Sequence, residues 1–402
     1  MMRGVEVTGR GVVSALGSNL ESFSAALLAG RSGVADLGEV AQNLRFHLGA
    51  AVRGFDVAEH FDARTSGLLD RFTQFGVVAA REAMREAGIG AGDVEPGRLG
   101  VIIGTANAGI DIIEAGFKRI LVENRRPAPM TVPMTMGSAP ASRIAHEAGA
   151  RGPVFGVTSA CSSTGHAIML GLMMIRWGLA DVVVAGGTDS SLGWANITTW
   201  DGMRVVSPTL CRPFSQERDG LVLGEGAGVL VLEASGRAAA RGRKPLARLA
   251  GAAMGSDAGD LLNPDPDGMG AVMAGAIADA GWNAADIDYV NAHGTGTRAN
   301  DRAESAAIHA VFGGSPRLSV SSTKAATGHA LGASGALEAI ATICAIEHGT
   351  VPPTLNFVSH DPECDLDVTP NEPRRKPIGL ALSNSFAFGG LNVSLAFAHP
   401  DA

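Results

Sequence analysis

The sequence predicts an α/β protein whose sheets are buried on both faces. The chain has 402 residues, enough for two or three domains or for one large fused core. Hydrophobic residues make up 46% and charged residues 18%, a balance that excludes a disordered chain. Short apolar, β-branched runs alternate with longer segments rich in alanine and leucine, which is typical of α/β proteins.

The elements follow in chain order from these runs. Strands are predicted where β-branched residues cluster between glycine, proline or polar residues, at 5–8, 99–103, 182–185, 228–233, 289–291, 318–321, 380–383 and 392–398. Helices are predicted where longer stretches rich in alanine and leucine lie between these runs, at 21–29, 70–87, 164–177, 269–280, 301–312 and 332–348.

Charge and cysteine content exclude several classes of protein. A net charge of −8 argues against a nucleic-acid partner. No apolar run reaches the roughly 18–20 residues of a membrane span, and the N-terminus lacks the order of a signal peptide. The cysteines lie far apart without a C-x-x-C pair, so neither a disulfide framework nor a zinc site is indicated, and the reducing cytoplasm is the predicted compartment.

A weak internal repeat indicates two halves. Gly165-His166-Ala167 is followed by a predicted strand that begins with glycine, at 228–232. Gly328-His329-Ala330 is followed by another, at 390–395. The distance along the chain from the Gly-His-Ala segment to its strand is nearly the same in both cases. Two halves of similar topology that meet near residue 240 explain this, with domains 1–240 and 241–402. Chance similarity in a chain rich in glycine and alanine is the alternative reading.

Cys161 is the candidate nucleophile. It lies between an apolar run and an apolar helix, in Val157-Thr-Ser-Ala-Cys161-Ser-Ser163. The positive end of a helix favours the thiolate, the reactive form of cysteine, and the small neighbours leave room for a substrate. An isolated cysteine is more often buried and inert, so Cys161 needs partners before a reaction can be assigned.

Two histidines are candidate partners because each follows a predicted strand. His293 follows the strand at 289–291, and His329 follows the strand at 318–321. Ligands collect at the carboxyl ends of strands in open α/β sheets, so these histidines and Cys161 can converge. Lys324 lies between apolar segments, which favours burial beside a carboxylate, and Glu304 is the candidate partner.

The segment 383–390, Ser-Asn-Ser-Phe-Ala-Phe-Gly-Gly, is a glycine-rich turn with aromatic residues near the last strand. Such a turn can supply a backbone N–H to an oxyanion and can act as a movable lid.

These motifs occur in the order and at the spacings of the β-ketoacyl-acyl-carrier-protein synthases, and the sequence resembles synthase II and type II polyketide ketosynthases most. The resemblance covers nearly the whole chain and depends on the Cys161 turn, His293-Gly-Thr-Gly-Thr, Lys324-x-x-x-Gly-His329 and Asn384-Ser-Phe-x-Phe-Gly-Gly.

The resemblance implies a thiolase fold: two similar βαβαβ-type halves stacked in five layers, α-β-α-β-α. It implies that Cys161 carries an acyl chain as a thioester while His293 and His329 stabilise the enolate formed when malonyl-carrier protein loses its carboxyl group. It also implies that Lys324, paired with Glu304, organises the histidines. Further residues have implied roles: backbone N–H groups of Cys161 and Phe388 in the oxyanion hole, Phe388 as gate, and Phe386, Gly389 and Gly390 in support.

Three positions depart from the family pattern. Ala387 replaces a usual glycine and should stiffen the gate. Asn107 stands at an acyl-pocket position that is often isoleucine, and Thr131 stands where the dimer partner usually contributes a phenylalanine. A polar wall and a smaller floor predict a long, oxygenated or unsaturated acyl chain.

The resemblance also implies partners. The substrates are carried on the phosphopantetheine of an acyl carrier protein, so no free cofactor and no metal are implied. Carrier proteins are acidic, so a local basic patch is expected. The candidates are four arginines at or near the carrier-contact positions of the family: Arg64, Arg125, Arg126 and Arg204. Ordinary solvated arginines are the alternative interpretation. The chain is predicted to pair with itself as a homodimer, or with a ketosynthase-like partner subunit.

Two other functions share this fold. A catalytically silent chain-length subunit of a ketosynthase heterodimer would lack the nucleophile, whereas Cys161 is present. A coenzyme A-dependent thiolase-fold enzyme would typically use a Cys-His-Cys or Cys-His-Asn set. His329 after Lys324 favours the decarboxylating Cys-His-His type.

Overall fold

Strands and helices alternate along residues 2–402, the part of the chain that the computed structural model describes. The strands are β1 Val5–Ser14, β2 Ala35–Asp36, β3 Leu48–Gly49, β4 Leu99–Gly104, β5 Val154–Val157, β6 Val182–Asp189, β7 Gly226–Ala234, β8 Ala247–Ser256, β9 Tyr289–Asn291, β10 Ser319–Ser321, β11 Thr350–Val351, β12 Arg374–Arg375, β13 Leu380–Ala387 and β14 Leu391–Ala398. The helices are α1 Leu20–Leu28, α2 Val57–His60, α3 Ala63–Ser66, α4 Arg71–Ala87, α5 Ile110–Leu121, α6 Thr131–Thr135, α7 Ala139–Ala148, α8 Ser163–Arg176, α9 Trp194–Met203, α10 Arg237–Ala240, α11 Pro266–Ala280, α12 Arg298–Phe312, α13 Lys324–Thr327 and α14 Ser334–His348.

The main sheet contains the same strand order twice. Its order is β10-β9-β13-β14-β8-β1-β7-β6-β4-β5. When the five strands of each half are numbered in chain order, both halves have the same arrangement from the centre of the sheet outward: first, fifth, fourth, second and third. The directions also repeat, because each half has two parallel pairs at its outer edge and two antiparallel pairs toward the centre. The halves join where Glu6 pairs with Arg248 and Val7 with Ala247.

Three hydrophobic clusters define the layers. Helices α4 and α7 cover one face of the first half, and α11 and α12 cover one face of the second. Helices α8 and α14 lie between the halves, and residues 334–346 of α14 are buried all round. Neighbouring residues of one strand face different layers: Val182 belongs to the cluster under α4 and α7, and Val183 belongs to the cluster between the halves. This is the predicted five-layered α/β fold, which is confirmed.

The predicted elements are confirmed as elements, with shifted ends and two omissions from the main sheet. The strand predicted at 5–8 extends to Ser14, while β9 has the predicted bounds. Strand β5 and strand β8 were not predicted; β8 reads Ala-Arg-Leu-Ala-Gly-Ala-Ala-Met-Gly-Ser, whose small residues carry little strand propensity. The boundary predicted between residues 240 and 241 falls in the connection from β7 to β8, and it stays a prediction.

Parallel strands place the candidate residues at one edge of the sheet. Asn107, Cys161 and His293 lie in the segments that follow β4, β5 and β9, and Lys324 begins α13 shortly after β10. Since each loop leaves the carboxyl end of a parallel strand, the topology brings distant parts of the chain together. Among residues 2–402, no helix combines the length and the apolar character needed to cross a membrane.

Candidate active site

Cys161 lies in a tight turn between β5 and α8. The residue before it, Ala160, has φ of 50°, in the left-handed region that residues with a side chain rarely adopt. The next residue, Ser162, anchors the turn to the second half of the fold by donating to the carbonyl oxygens of Ser385 at 3.0 Å and Leu391 at 2.6 Å. The turn therefore presents Cys161 at the start of α8 while the side chain stays 7% exposed.

Burial decides the protonation state of Cys161. It raises the pKa of the thiol to about 12, and the positive charge of Lys324 only partly opposes this. Burial therefore favours the neutral thiol in the resting protein, against the thiolate expected at a helix N-terminus. A neighbouring base must take the proton when the thiol reacts.

His329 is placed where such a base would have to lie. Its Nε2 lies 3.1 Å from the Cys161 Sγ, and its Nδ1 lies 2.9 Å from the Ser334 Oγ. Burial, assisted by the charge of Lys324, lowers the pKa of His329 well below its ordinary value of 6.5. The imidazole is therefore neutral. When Nδ1–H donates to Ser334, the Nε2 lone pair is free to accept the thiol proton.

His293 is held with the opposite polarity. The Lys324 ammonium donates to His293 Nδ1 at 3.2 Å, which leaves the remaining ring proton on Nε2. Burial, then the charges of Lys324 and His329, lower the pKa of His293 well below 6.5. The rings of His293 and His329 lie 5.5 Å apart, edge to face. The site therefore combines one neutral imidazole that accepts a proton with one that donates a hydrogen bond.

The predicted partner of Lys324 is wrong. Lys324 is fully buried and forms its ion pair with Glu338 on α14, and it also donates to the His293 carbonyl oxygen. Glu304 instead accepts hydrogen bonds from the backbone N–H groups of His293 at 2.8 Å and Gly294 at 2.7 Å. Glu304 therefore holds the backbone of the loop that carries His293, and Glu338 balances the charge of Lys324.

The sequence contained a signal for Glu338 that was not used. It is the one charged residue within residues 334–346 of a helix that is otherwise apolar or small. A lone carboxylate in such a helix needs a buried cation. Ser334 was also missed, because its contact with His329 depends on the turn between them.

Residues 386–390, the predicted gate, line one side of the cavity that contains Cys161 and both histidines. Phe386 is 4% exposed and packs edge to face against His293, with ring centroids 6.1 Å apart. Phe388 lines the cavity. Gly389 and Gly390 have φ of 80° and 66°, and a Cβ on Gly390 would lie 2.5 Å from Asp257. Glycine is therefore required at position 390.

The other predicted residues lie outside this cavity. Asn107 is half-buried beside Ser191 and Asn196, and Thr131 begins α6 next to exposed apolar side chains. The arginines proposed to contact a carrier protein are all exposed: Arg64 on α3, Arg125 and Arg126 between α5 and α6, and Arg204 at the end of α9.

A cluster of carboxylates lies near Asn107. Burial, followed by repulsion from Asp70, Glu114 and Glu225, raises the pKa of Asp111 to about 7, and Arg71 only partly offsets this. One carboxylate oxygen of Asp111 is buried without a hydrogen-bond partner in the described residues. Ionised Asp111 therefore destabilises the fold.

We expect Asp111→Asn to remove part of the pH dependence of stability. The folded pKa of about 7 exceeds the ordinary value of 3.8, so between these values the folded state binds more protons than the unfolded state. The melting temperature of the native protein should therefore fall as the pH rises from about 4 to 7, and Asp111→Asn should flatten this fall. Thermal unfolding across this range measures it. Glu123→Gln, the same charge change on an exposed side chain, should keep the native profile, and an unaltered slope in Asp111→Asn would contradict the prediction.

The protein families that match this chain divide it between β7 and β8, where the two halves of the fold meet. Residues 2–238 match the family described as Beta-ketoacyl synthase, N-terminal domain, and residues 246–358 match Beta-ketoacyl synthase, C-terminal domain. The chain is 45% identical over 401 residues to Nodulation protein E of Rhizobium sp. (strain N33), covering 99% of each chain. It is 36% identical over 403 residues to 3-oxoacyl-[acyl-carrier-protein] synthase 2 of Staphylococcus aureus (strain N315), covering 98% of this chain and 97% of the relative.

A solved structure shares the whole fold. It is described as AntDE:AntF, a type II PKS acyl-carrier protein in complex with its ketosynthase bound to the hexaketide. The matched chain is 30% identical, with a TM-score of 0.92, and the match covers 99% of this chain and 100% of that chain.

Proposed function

Because this chain belongs to the β-ketoacyl synthase family, we propose that Cys161, His293 and His329 catalyse its condensation reaction. The reaction joins an acyl chain held on Cys161 to malonyl-acyl-carrier protein, with loss of carbon dioxide, in fatty-acid or polyketide synthesis. The observation that carries the assignment is the 3.1 Å contact between Cys161 Sγ and His329 Nε2, next to a second neutral imidazole.

In the first step the acyl chain moves to Cys161. His329 Nε2 takes the thiol proton, and the sulfur attacks the carbonyl carbon of the acyl-carrier thioester. A new S–C bond forms to Cys161, the S–C bond to the carrier breaks, and the carrier thiol leaves with a proton. Transient formation of the thiolate beside His329 is consistent with a thiol whose resting pKa is about 12.

In the second step the malonyl group loses its carboxyl group. The C–C bond breaks, carbon dioxide leaves, and the electron pair forms an enolate whose oxygen accepts from His293 Nε2–H. The enolate carbon then attacks the acyl carbonyl on Cys161 and forms the new C–C bond. The S–C bond to Cys161 breaks, and the thiolate takes up a proton from solvent through His329. Backbone N–H groups of Cys161 and Phe388 are the proposed donors to the oxyanion, since both residues line the same cavity. The reaction needs no free cofactor.

Mass spectrometry of the intact protein after incubation with a panel of acyl-carrier proteins tests this function. We expect a mass increase equal to the acyl group, located on Cys161, and a β-ketoacyl product once malonyl-carrier protein is added. Because Asn107 and Thr131 are proposed to line the acyl channel, long, oxygenated or unsaturated chains should load faster than saturated medium chains. An enzyme that condenses without ever carrying an acyl group on Cys161 would exclude the mechanism.

The two other functions have less support. A silent chain-length subunit needs no base beside a cysteine, yet His329 contacts Cys161 directly. A coenzyme A-dependent thiolase would not need the histidine pair arranged as acceptor and donor around Lys324.

Charge reversal at Arg125 and Arg126 should weaken recognition of the carrier protein. Both side chains are exposed, and an acidic carrier is attracted electrostatically to them. We expect Arg125→Glu with Arg126→Glu to raise the KM for the acyl-carrier protein about tenfold at low salt, with kcat nearly unchanged. Arg151→Glu, at an exposed residue between α7 and β5, is the control. An equal KM in the double variant would remove these arginines from the docking surface.

A dimer is proposed from one exposed apolar surface. Several apolar residues of α5 and of the segment after it are largely exposed. Their exposed fractions are 57% for Phe117, 77% for Leu121, 76% for Val122 and 71% for Val132. Such a patch is large for a free surface. A second copy of this chain, or a related subunit, would bury it and bring Thr131 toward the partner's acyl channel.

The cytoplasm stays the predicted compartment, and all four cysteines are free thiols.

A further inference from the structure

The imidazole of His329 is oriented by the turn that leads into α14. The backbone of His329 is fixed, because its N–H donates to the Val222 carbonyl oxygen at 2.7 Å and its carbonyl oxygen accepts from the Gly224 N–H at 2.9 Å. Rotation of the ring depends on Ser334, whose Oγ lies 2.9 Å from Nδ1. The direction in which Nε2 points therefore depends on residues 330–333, the turn that places Ser334.

This turn has a backbone conformation that needs support from outside. Leu331 has φ of 50°, in the left-handed region, and such a conformation persists only where the surrounding structure holds it. Both backbone groups of the next residue are held. The N–H of Gly332 donates to Asp189 Oδ2 at 2.7 Å, and its carbonyl oxygen accepts from the Thr164 hydroxyl. Since Thr164 follows Cys161 by three residues, the turn is held by Asp189 and by the segment that carries the nucleophile.

Asp189 is the last residue of β6, and its side chain is completely buried. One carboxylate oxygen accepts from Thr105 Oγ1 at 2.7 Å and from the N–H of Asn107 at 3.1 Å. The other accepts from the N–H of Ala106 at 2.9 Å in addition to that of Gly332. A buried carboxylate is costly unless its oxygens are satisfied, and these donors come from both halves of the fold. The carboxylate therefore joins the segment after β4 to the turn before α14.

The carboxylate and the turn are packed without space between them. A Cβ on Gly332 would lie 2.6 Å from Asp189 Oδ2 and closer still to the backbone nitrogen of Ala106. Close-packed interiors transmit such displacements, so a change at the carboxylate moves the turn.

We infer that Asp189 is a positioning residue for the proton transfer between Cys161 and His329. It acts through the peptide group of Gly332, which places Ser334 beside the His329 ring. The inference rests on the proposed function, because the proton transfer is part of it. Without the carboxylate, the buried N–H of Gly332 loses its acceptor, the turn shifts, and Ser334 no longer holds Nδ1 in place. His329 Nε2 then leaves its 3.1 Å contact with the Cys161 Sγ.

A double-mutant cycle on the alkylation of Cys161 by iodoacetamide tests the inference without requiring turnover. The sulfur bonds to the reagent carbon, iodide leaves, and the thiol proton passes to His329 and then to buffer. Intact-mass measurement follows the rate, and Cys161→Ala confirms the position of the adduct. We expect Asp189→Ala and His329→Ala each to slow alkylation about tenfold or more. The variant with both substitutions should react within about twofold of His329→Ala, because Asp189 acts only through His329.

A second variant and two controls separate this effect from a loss of folding. Gly332→Ala adds the methyl group that the packing excludes, and it should also slow alkylation about tenfold or more. Asp288→Ala is the control for the carboxylate, because Asp288 is 4% exposed and also accepts from backbone N–H groups, but it precedes β9 whereas His293 follows it. Gly270→Ala adds a methyl group in ordinary contact only. Both controls should keep the native rate.

Circular dichroism identifies the variants that fold, and Gly332→Ala replaces Asp189→Ala in the cycle if the latter does not. A native rate in the folded variant would overturn the inference. Effects that multiply when it is combined with His329→Ala would also overturn it. Failure of the proposed function is distinguishable, because His329→Ala itself would then react at the native rate or acyl groups would not transfer from carrier proteins.

Discussion

Cys161→Ala is expected to abolish condensation, lowering kcat/KM by about a thousandfold or more. No other sulfur can replace it, because the remaining described cysteines lie outside the cavity lined by Cys161 and both histidines. The methyl group keeps most of the packing of a side chain that is only 7% exposed, so the fold should persist. Product formation from acyl- and malonyl-carrier protein measures the loss.

Cys364→Ala is the matched control for this substitution. Cys364 is 3% exposed and packs in the hydrophobic cluster to which α11 and α12 contribute. Its replacement removes the same atom from a similarly buried place, so condensation should continue near the native rate. Condensation by Cys161→Ala at a rate close to that of Cys364→Ala would refute the assignment of the nucleophile.

Lys324→Ala is expected to reduce both stability and activity. It leaves the Glu338 carboxylate buried without its cation, which costs about 3–5 kcal/mol of unfolding free energy in comparable buried pairs. It also removes the donor to His293 Nδ1, so the imidazole is free to place its proton on either nitrogen. Urea unfolding measures the first effect, and condensation kinetics measure the second.

A double variant separates the two effects. Lys324→Met with Glu338→Leu replaces the ion pair with apolar side chains, and such replacements of buried pairs are often neutral. We expect it to recover most of the lost stability while condensation stays impaired, because the contact with His293 is still missing. If Lys324→Ala unfolds within about 1 kcal/mol of the native protein, the buried pair does not have the assigned role.

Local pattern was sufficient for much of this protein. The alternation of strand and helix, the candidate residues Cys161, His293 and His329, and their places after strands could all be read from runs of neighbouring residues. These features depend on spacing within a few residues, where side-chain periodicity and backbone preference act directly. The two halves repeat the same strand order, but the two Gly-His-Ala segments differ in place, because one lies inside α8 and the other precedes α14.

Contacts across the chain were not available from local pattern. Three such contacts are those of Lys324 with Glu338, of Cys161 with His329 and of Trp200 with Phe388. They join residues that are between 14 and 188 positions apart. Their distances are decided by how strands cross between the halves and by which faces of the helices pack. Glu304 and Glu338 both lie on helices near the site, and only the packing shows which of them reaches the ammonium group.

The difference between local pattern and tertiary contacts also explains the ionisation states of Cys161, His293 and His329. Sequence alone established that a cysteine stands at the start of a helix and that two histidines follow strands. The tertiary structure decided that all three side chains are buried, and burial raises the pKa of the thiol while it lowers those of the imidazoles. The physical reason is that desolvation depends on everything packed around a group, whereas a sequence motif shows only the neighbours along the chain.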